Sequence, residues 1–281
     1  IVAVIAVVAG LIAAVGRFNG GGFTDYVARI EIDGLILTDK SINRALAKIA
    51  EADHARALIV FIDSPGGTVV GGEGLFRALR DVAQKKPVVA VMGNTATSAA
   101  YMAALGTDHI IAHAGTVTGS IGVILQTADV TGMLEKLGIK PETVKSGILK
   151  AQPNPMETFN PAAREVTVSV IADLHAMFLD MVKDRRGMTE ERAASLGDGR
   201  IFSGRQALGA GLVDAIGRER DARVWLAESH GIAADLETRD IHEKEDGEFW
   251  RQMVSSTVGK VLFSERLKLD GVISLWHPGM K

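Results

Sequence analysis

Apolar runs typical of buried strands recur along the first half of the chain and alternate with segments of helical periodicity. The strand-like runs are residues 27–32, 57–62, 88–92 and 110–112, with weaker candidates at 122–125 and 142–145. The helical segments are 41–51, with Ser41 as the expected N-cap, then 71–84, 98–105 and a long helix over 161–186. Continuous apolar strands separated by helices are typical of βαβ crossovers. The pattern predicts an α/β fold with a mostly parallel sheet.

The start of the chain has a different character. Residues 1–15 form an unbroken apolar run that ends at Arg17. A membrane-spanning helix needs about 20 apolar residues, and the chain opens with Ile rather than Met. We therefore expect residues 1–16 to be the end of a transmembrane helix or uncleaved signal anchor, with a buried core segment as the alternative. Residues 17–26, which contain three consecutive glycines, predict a flexible linker to a folded domain over 27–236.

The end of the chain is predicted to be a separate segment, 237–281. Charged residues dominate 237–248, and apolar residues recur at helical spacing over 249–267. This pattern indicates a charged linker followed by an amphipathic helix. The helix would pack on its own domain or on a neighbouring subunit; contact with a membrane surface is the alternative, with few basic residues to support it.

Composition and charge exclude several classes of protein. The 281 residues carry 31 Lys plus Arg against 34 Asp plus Glu, a formal net charge of −3, so the electrostatic footprint of a nucleic-acid-binding protein is missing. The chain contains no cysteine, which excludes disulfides, a thiol nucleophile and a thiolate zinc site. No HExxH or paired histidine spacing indicates a metal, and we expect neither a metal nor a cofactor.

Four short motifs carry the candidate chemistry. The sequence IDSPGG at 62–67 follows a buried strand, and glycines at such a turn can direct backbone N–H groups at an anion. GNTATSAAY at 93–101 places Ser98 at the predicted start of a helix, where a serine is either an N-cap or a nucleophile. GTVTGSIG at 115–122 contains Ser120, and KSGILK at 145–150 ends in Lys150. The residues alone leave both readings of Ser98 open.

The order of these motifs resembles the signal peptide peptidase A family (protease IV-like). The segment DGRIFSGRQA at 198–207, continued by GLVD at 211–214, is similar to the family's closing motif, so the resemblance covers about residues 27–217. The family consists of membrane-anchored serine proteases with the crotonase/Clp-protease fold. The resemblance implies that fold here, and it favours the nucleophile over the N-cap.

The resemblance also assigns roles to individual residues. It implies that Ser98 is the nucleophile, Lys150 the general base and Ser120 the residue that holds the lysine amine. The backbone N–H groups of Gly67 and Ala99 would form the oxyanion hole, with Gly66 as an alternative first donor. A lysine acts as a base only when it is neutral, and burial in an apolar pocket favours that form. The family often has Gly-Gly after the nucleophile, where this chain has Ala99 and Ala100.

The resemblance implies a membrane-anchored serine endopeptidase that cleaves residual signal peptides through an acyl-enzyme, with small or apolar residues preferred before the cut. It further implies a homo-oligomeric ring, with eight subunits for a half-length form, in the inner or cytoplasmic membrane with an extracytoplasmic catalytic domain. Three alternatives stay open: a Ser-His-Asp triad using His109 or His113, a crotonase-like acyl-CoA enzyme, and a noncatalytic membrane-tethered scaffold.

Overall fold

A mostly parallel sheet forms the centre of the molecule. The computed structural model describes residues 24–241 and 273–275. The strands are β1 (Tyr26–Ile36), β2 (Ala55–Thr68), β3 (Val88–Thr97), β4 (His109–Ala112), β5 (Val117–Gly119), β6 (Ile201–Ser203), β7 (Ala215–Ile216), β8 (Thr238–Asp240) and β9 (Ile273–Leu275). The main order is β6-β5-β3-β2-β1-β8, with β4 between β3 and β7 and with β9 beside β2. The β5–β6 and β2–β9 pairs are antiparallel, and the other pairs are parallel.

Helices connect the strands and cover both faces of the sheet. They are α1 (Lys40–Glu51), α2 (Val69–Ala83), α3 (Ala99–Ala104), α4 (Thr131–Lys136), α5 (Pro161–Arg186), α6 (Glu190–Leu196), α7 (Gly204–Ala210) and α8 (Glu219–His230). The N-cap of α1 is Asp39 rather than the predicted Ser41, because the Asp39 carboxylate accepts a hydrogen bond of 2.7 Å from the Ser41 backbone N–H. At the N-cap, a charged carboxylate accepts hydrogen bonds from the unpaired N–H groups of the first helical turn and also interacts favourably with the helix dipole.

Alternating residues of the central strands enter two hydrophobic clusters, one on each face of the sheet. On one face, Leu58, Val60 and Ile62 pack with buried side chains of α1, α2, α3 and α5. On the other face, Ala57 and Ile59 pack with the buried side of α8. Burial on both faces explains why these strands read as continuous apolar runs rather than as alternating ones. The predicted α/β architecture with a mostly parallel sheet is confirmed.

Three parts of the chain depart from the expected pattern of elements. Strands β2 and β3 continue through the polar and glycine-rich motifs that the sequence places after them, as far as Thr68 and Thr97. The strands predicted at 122–125 and 142–145 are wrong: the first segment contains only an isolated bridge at Ile124, and the second forms no strand and is mostly exposed. Residues 238–240, assigned from their charge to a linker, form β8 beside β1.

Most of the predictions for the two ends of the chain concern residues that the structure does not describe. The anchor at 1–16, most of the linker at 17–26 and the amphipathic helix at 249–267 lie outside the described residues. Within residues 24–241 and 273–275, no helix is both long and apolar enough to cross a membrane.

Candidate active site

The first two motifs meet at the carboxyl ends of β2 and β3. In the parallel register, Ser64 lies opposite Ala96, and the Thr97 hydroxyl donates a hydrogen bond of 3.0 Å to the Pro65 carbonyl. The Asp63 carboxylate accepts bonds of 2.7 Å and 3.0 Å from the side chain of Asn94 and the backbone of the next residue. These bonds fix the two motifs relative to each other. Asp63 and Thr97 lie inside the two motifs, but nothing in the sequence alone distinguishes them as residues that position the site.

Ser98 occupies a strained backbone conformation directly after β3. Its φ of 57° and ψ of −118° lie in a region that residues with a Cβ rarely adopt. Its N–H donates a hydrogen bond of 2.8 Å to the Gly119 carbonyl, and its side chain does not cap α3. A strained residue held in place by its surroundings is a feature of functional sites. Of the two roles that the sequence left open for Ser98, the structure excludes that of a side-chain N-cap. The role of nucleophile stays a prediction.

The helix after Ser98 spans only residues Ala99–Ala104. A helix of six residues sums few peptide dipoles, so its macrodipole is small. What the short helix does present is its first unsatisfied N–H groups, including that of Ala99. Any stabilisation of negative charge here rests on individual N–H donors.

Gly67 stands where any side chain would collide with β1. A Cβ built on Gly67 would lie 1.8 Å from the carbonyl oxygen of Ile36, its neighbour in the parallel register. Gly66 has a φ of 105°, and its N–H donates a hydrogen bond of 3.1 Å to the Ser64 hydroxyl. The backbone around the Gly-Gly pair is thus tightly constrained, as a preorganised donor must be. The bond from Gly66 to Ser64 occupies that N–H, which favours Gly67 as the oxyanion donor.

Ser120 lies beside Ser98 because β5 is paired with β3. The pair Thr97 and Gly119 is in register, so the residues that follow, Ser98 and Ser120, leave adjacent strands at the same point. Ser120 also has a positive φ, 50°, and its N–H donates a hydrogen bond of 2.8 Å to the Arg200 carbonyl. The closing motif of the sequence, which supplies Arg200 and strand β6, therefore has a structural role: it holds Ser120 at the site.

A close contact between α2 and α3 sets the position of the Ser98 turn. A Cβ added at Gly72 would lie 2.9 Å from the Cβ of Ala99, so the two helices approach each other through a glycine and an alanine. Ala99 stands where the resembling family often has a glycine, and no sequence pattern links it to Gly72. In this chain the glycine on the opposite helix leaves space for the alanine.

Lys150 is the predicted site residue that the described part of the chain leaves exposed. It lies on an exposed stretch of the connecting segment 122–160, and the next residue, Ala151, has a positive φ of 58°. The residues that the structure describes therefore do not provide the burial that would favour the neutral form of this amine. Within the same segment, Lys145 pairs with the Glu157 carboxylate, which lowers the pKa of Glu157 through that hydrogen bond.

His109 belongs to a cluster at the opposite end of the sheet from Ser98. It pairs with Val89 near the start of β3, nine residues before Ser98, or about 30 Å along an extended strand. Its ring stacks on Trp225 at a centroid distance of 4.7 Å and lies 3.8 Å from the Asp214 carboxylate. Burial lowers the pKa of His109, against the opposing attraction of Asp214. The His-Asp pair exists, but it is too distant to serve Ser98 as a triad.

Comparison with protein families and with curated proteins shows the family of this chain. The model of "Peptidase family S49" matches residues 80–233, more than half of the chain. A Synechocystis sp. protein with a protease name is 39% identical over 211 residues, which are 74% of this chain and 76% of that protein. An Enterococcus faecium protein named as signal peptide peptidase SppA is 34% identical, over 63% of this chain and 52% of that protein.

The name of a plant relative specifies a serine protease. The chloroplastic serine protease SPPA of Arabidopsis thaliana is 28% identical over 202 residues, which are 70% of this chain and 29% of that protein. This chain thus spans about half or less of two of these three relatives. The family match and the protease names of the relatives favour a peptidase over the alternative of a crotonase-like acyl-CoA enzyme. The chain belongs to peptidase family S49 and is a serine peptidase similar to SppA and protease 4.

Proposed function

We propose that this protein is a membrane-anchored serine endopeptidase that cleaves residual signal peptides and other membrane-associated peptides. In the proposed reaction, the Ser98 hydroxyl attacks the peptide carbonyl while the Lys150 amine removes its proton. The same amine protonates the leaving amine and then activates the water that hydrolyses the acyl-enzyme. Ser120 positions the amine, and the N–H groups of Gly67 and Ala99 bind the oxyanion.

The conformation of Ser98 is the single observation that carries this proposal. A backbone at φ 57° and ψ −118° is costly for serine, by about 1–3 kcal/mol. An ordinary helix start has no need of it. Here the strain orients the residue beside Ser120 and at the end of the Gly66–Gly67 turn, where a reacting carbonyl would contact both the hydroxyl and the N–H donors.

The base is proposed to come from a neighbouring subunit of a ring. The exposed segment that carries Lys150 also exposes large apolar side chains, among them Leu137, Val144 and Ile148, and the first half of α5 exposes Val166, Val168 and Val170. Large apolar side chains exposed in such number over two neighbouring segments favour a protein–protein interface there. Packing of a second subunit against it would bury Lys150 and supply the low-polarity surroundings that favour the neutral amine. A ring of eight such subunits remains our expectation.

The apolar run at residues 1–15 supports the anchor, in the inner or cytoplasmic membrane with an extracytoplasmic catalytic domain. Because the chain has no cysteine, a single Asp81→Cys change on the exposed side of α2 creates a unique label site. Intact cells treated with a membrane-impermeant maleimide should label it. Labelling that requires prior lysis would contradict the proposed side of the membrane.

Active-site labelling tests the chemistry directly. A fluorophosphonate probe should modify the assembled protein at Ser98, and Ser98→Ala should abolish the modification. The matched control is Ser195→Ala, which removes an exposed hydroxyl that bonds only to its own helix. Lys150→Ala should slow labelling strongly, whereas Lys140→Ala on the same exposed segment should not. Modification at another serine, or equal rates in the two lysine variants, would refute the proposed dyad.

A further inference from the structure

The loop that carries Lys150 is closed by a pair of opposite charges. The Lys145 ammonium contacts the Glu157 carboxylate, which lies 12 residues further along the chain. The two side chains are only 14% and 27% exposed, whereas residues 146–151 of the loop are all exposed. Solvent and salt screen a partly buried pair less than a pair on the open surface. The two ends of an exposed loop are therefore held together by a specific interaction.

Gln152 connects this pair to helix α5. Its side-chain N–H donates a hydrogen bond of 2.7 Å to the Glu157 carboxylate, and its side-chain oxygen accepts one of 3.4 Å from the Asn160 N–H. Asn160 is the N-cap of α5, where its side chain accepts a hydrogen bond of 2.8 Å from the Ala162 N–H. Further along, α5 is fixed in the hydrophobic core by the fully buried Phe178. The closed loop is thus tied to a helix whose position the core determines.

The backbone bonds of the loop itself are short-range and exposed to water. The Lys150 N–H donates a hydrogen bond of 3.1 Å to the Gly147 carbonyl, which forms a single turn. The Pro155 carbonyl accepts one of 3.0 Å from the N–H of Val130, the residue before α4. Segments with exposed backbone bonds and few buried contacts open easily. The charged contact between Lys145 and the far end of the loop spans the whole loop and opposes such opening.

We propose that Lys145 and Glu157 are positioning residues for the proposed base: their pairing fixes the loop on which Lys150 reaches Ser98 of a neighbouring subunit. This inference rests on the proposed function. Neither positioning residue contacts the substrate, and both act through the backbone that carries Lys150. A group displaced by about 1 Å can cost about 100-fold in rate, so a loop that is free to open would weaken catalysis. A loop that is ordered before assembly also loses less conformational freedom on association.

Steady-state kinetics of the full-length protein test this role. Lys145→Met keeps the aliphatic stem and removes the ammonium, and Glu157→Gln keeps the shape and removes the charge. Each change should lower kcat for a peptide substrate by about 10- to 100-fold and leave KM unchanged, because the position of the base affects the chemical step and not substrate binding. Lys145→Arg keeps the charge and should retain most of the activity.

The matched control is Lys183→Met, which removes the ammonium of a more exposed pair with Asp180 on α5 and should leave kcat unchanged. Size-exclusion chromatography at the assay concentration should show the parent's oligomer for every variant. Parent kcat in Lys145→Met and Glu157→Gln, with Lys150→Ala inactive, would overturn the inference and leave the proposed function standing. Loss of activity that accompanies loss of the oligomer would also overturn the positioning role.

Amide hydrogen exchange measures the loop without catalysis. Residues 146–156 should exchange faster in Lys145→Met and Glu157→Gln than in the parent protein, and Lys183→Met should not change their exchange. Reversing the pair, in the double variant Lys145→Glu with Glu157→Lys, should slow the exchange again and recover part of kcat. Unchanged exchange in the single variants would overturn the inference, whichever group is the base. Faster exchange as expected, in a protein whose Lys150→Ala variant stays fully active, would refute the proposed dyad and not the closure of the loop.

Discussion

At the scale of single residues, the strained backbone of Ser98 is expected to lower the stability of the fold at the position of the proposed nucleophile. Glycine adopts a positive φ without the steric cost that a Cβ brings. We therefore expect Ser98→Gly to be inactive yet more stable than the parent, by about 1–3 kcal/mol, whereas Ser98→Ala should be inactive with little change in stability. Chemical denaturation of both variants measures the difference. A Ser98→Gly protein less stable than Ser98→Ala would show that the backbone here is not strained.

Gly67 and Gly74 form a matched pair for testing the oxyanion turn. A Cβ at Gly67 would lie 1.8 Å from the Ile36 carbonyl, whereas one at Gly74 in α2 meets nothing within 4 Å. Gly67→Ala should displace the turn and reduce kcat/KM by about 10²–10³, the cost of one lost oxyanion donor. Gly74→Ala should keep full activity and gain about 0.5–1 kcal/mol, since alanine favours a helix interior. Steady-state kinetics and thermal unfolding separate the two effects.

Titration of His109 affects the stability of the fold rather than catalysis. Its pKa is lowered in the folded protein, so the unfolded chain binds the extra proton first, near pH 6.5. Stability is therefore full above that pH and decreases as the pH falls through it toward the lower folded pKa. His109→Phe keeps an aromatic ring on Trp225 and should flatten the decrease between pH 7 and 5, as urea unfolding would reveal. The exposed His54→Gln serves as the control and should leave the decrease in place.

At the scale of elements, the contact between α2 and α3 predicts coupled effects. Gly72→Ala should cost about 1–3 kcal/mol because its Cβ would overlap that of Ala99. Ala99→Gly in the same chain removes the overlapping atom, so the double variant should regain part of the loss. A double-mutant cycle of unfolding free energies measures this coupling. Strictly additive effects would show that the two helices do not meet at these residues.

The elements also show what the sequence could and could not predict. The buried halves of β2 and β3 were predictable because their apolar runs are continuous. Their second halves, DSPGGT and GNTAT, have no strand pattern, and specific bonds such as that of Thr97 to Pro65 keep them extended. The site residues Ser98 and Ser120 came from the resemblance, and their adjacency follows from a strand register that no local pattern encodes. The exposed setting of Lys150 was not predictable from its apolar neighbours Ile148 and Leu149.

At the scale of the whole molecule, the exposed position of Lys150 predicts that activity depends on assembly. If the base comes from the neighbouring subunit, then mixing Ser98→Ala chains with Lys150→Ala chains should restore part of the activity that each lacks alone. Peptide hydrolysis after co-refolding measures the rescue. Mixing Ser98→Ala with chains that carry both substitutions is the control and should give none. Failure of the first mixture in an assembled oligomer would place both residues of a site in one chain.

The strand position beside Gly66, Gly67 and Thr68 of β2 is narrow, and its width limits the conformation of a peptide that can bind there. Neighbouring strands are about 4.8 Å apart, whereas a helix with its side chains is about 10 Å across. Under the proposed function, a signal peptide that is helical in the bilayer would have to unwind over the few residues that enter, and the breaking of those helical bonds would become part of the reaction barrier. Peptides should be cut fastest near glycine, which weakens a helix and keeps its backbone N–H, and a lactam staple across the cleavage point should protect them.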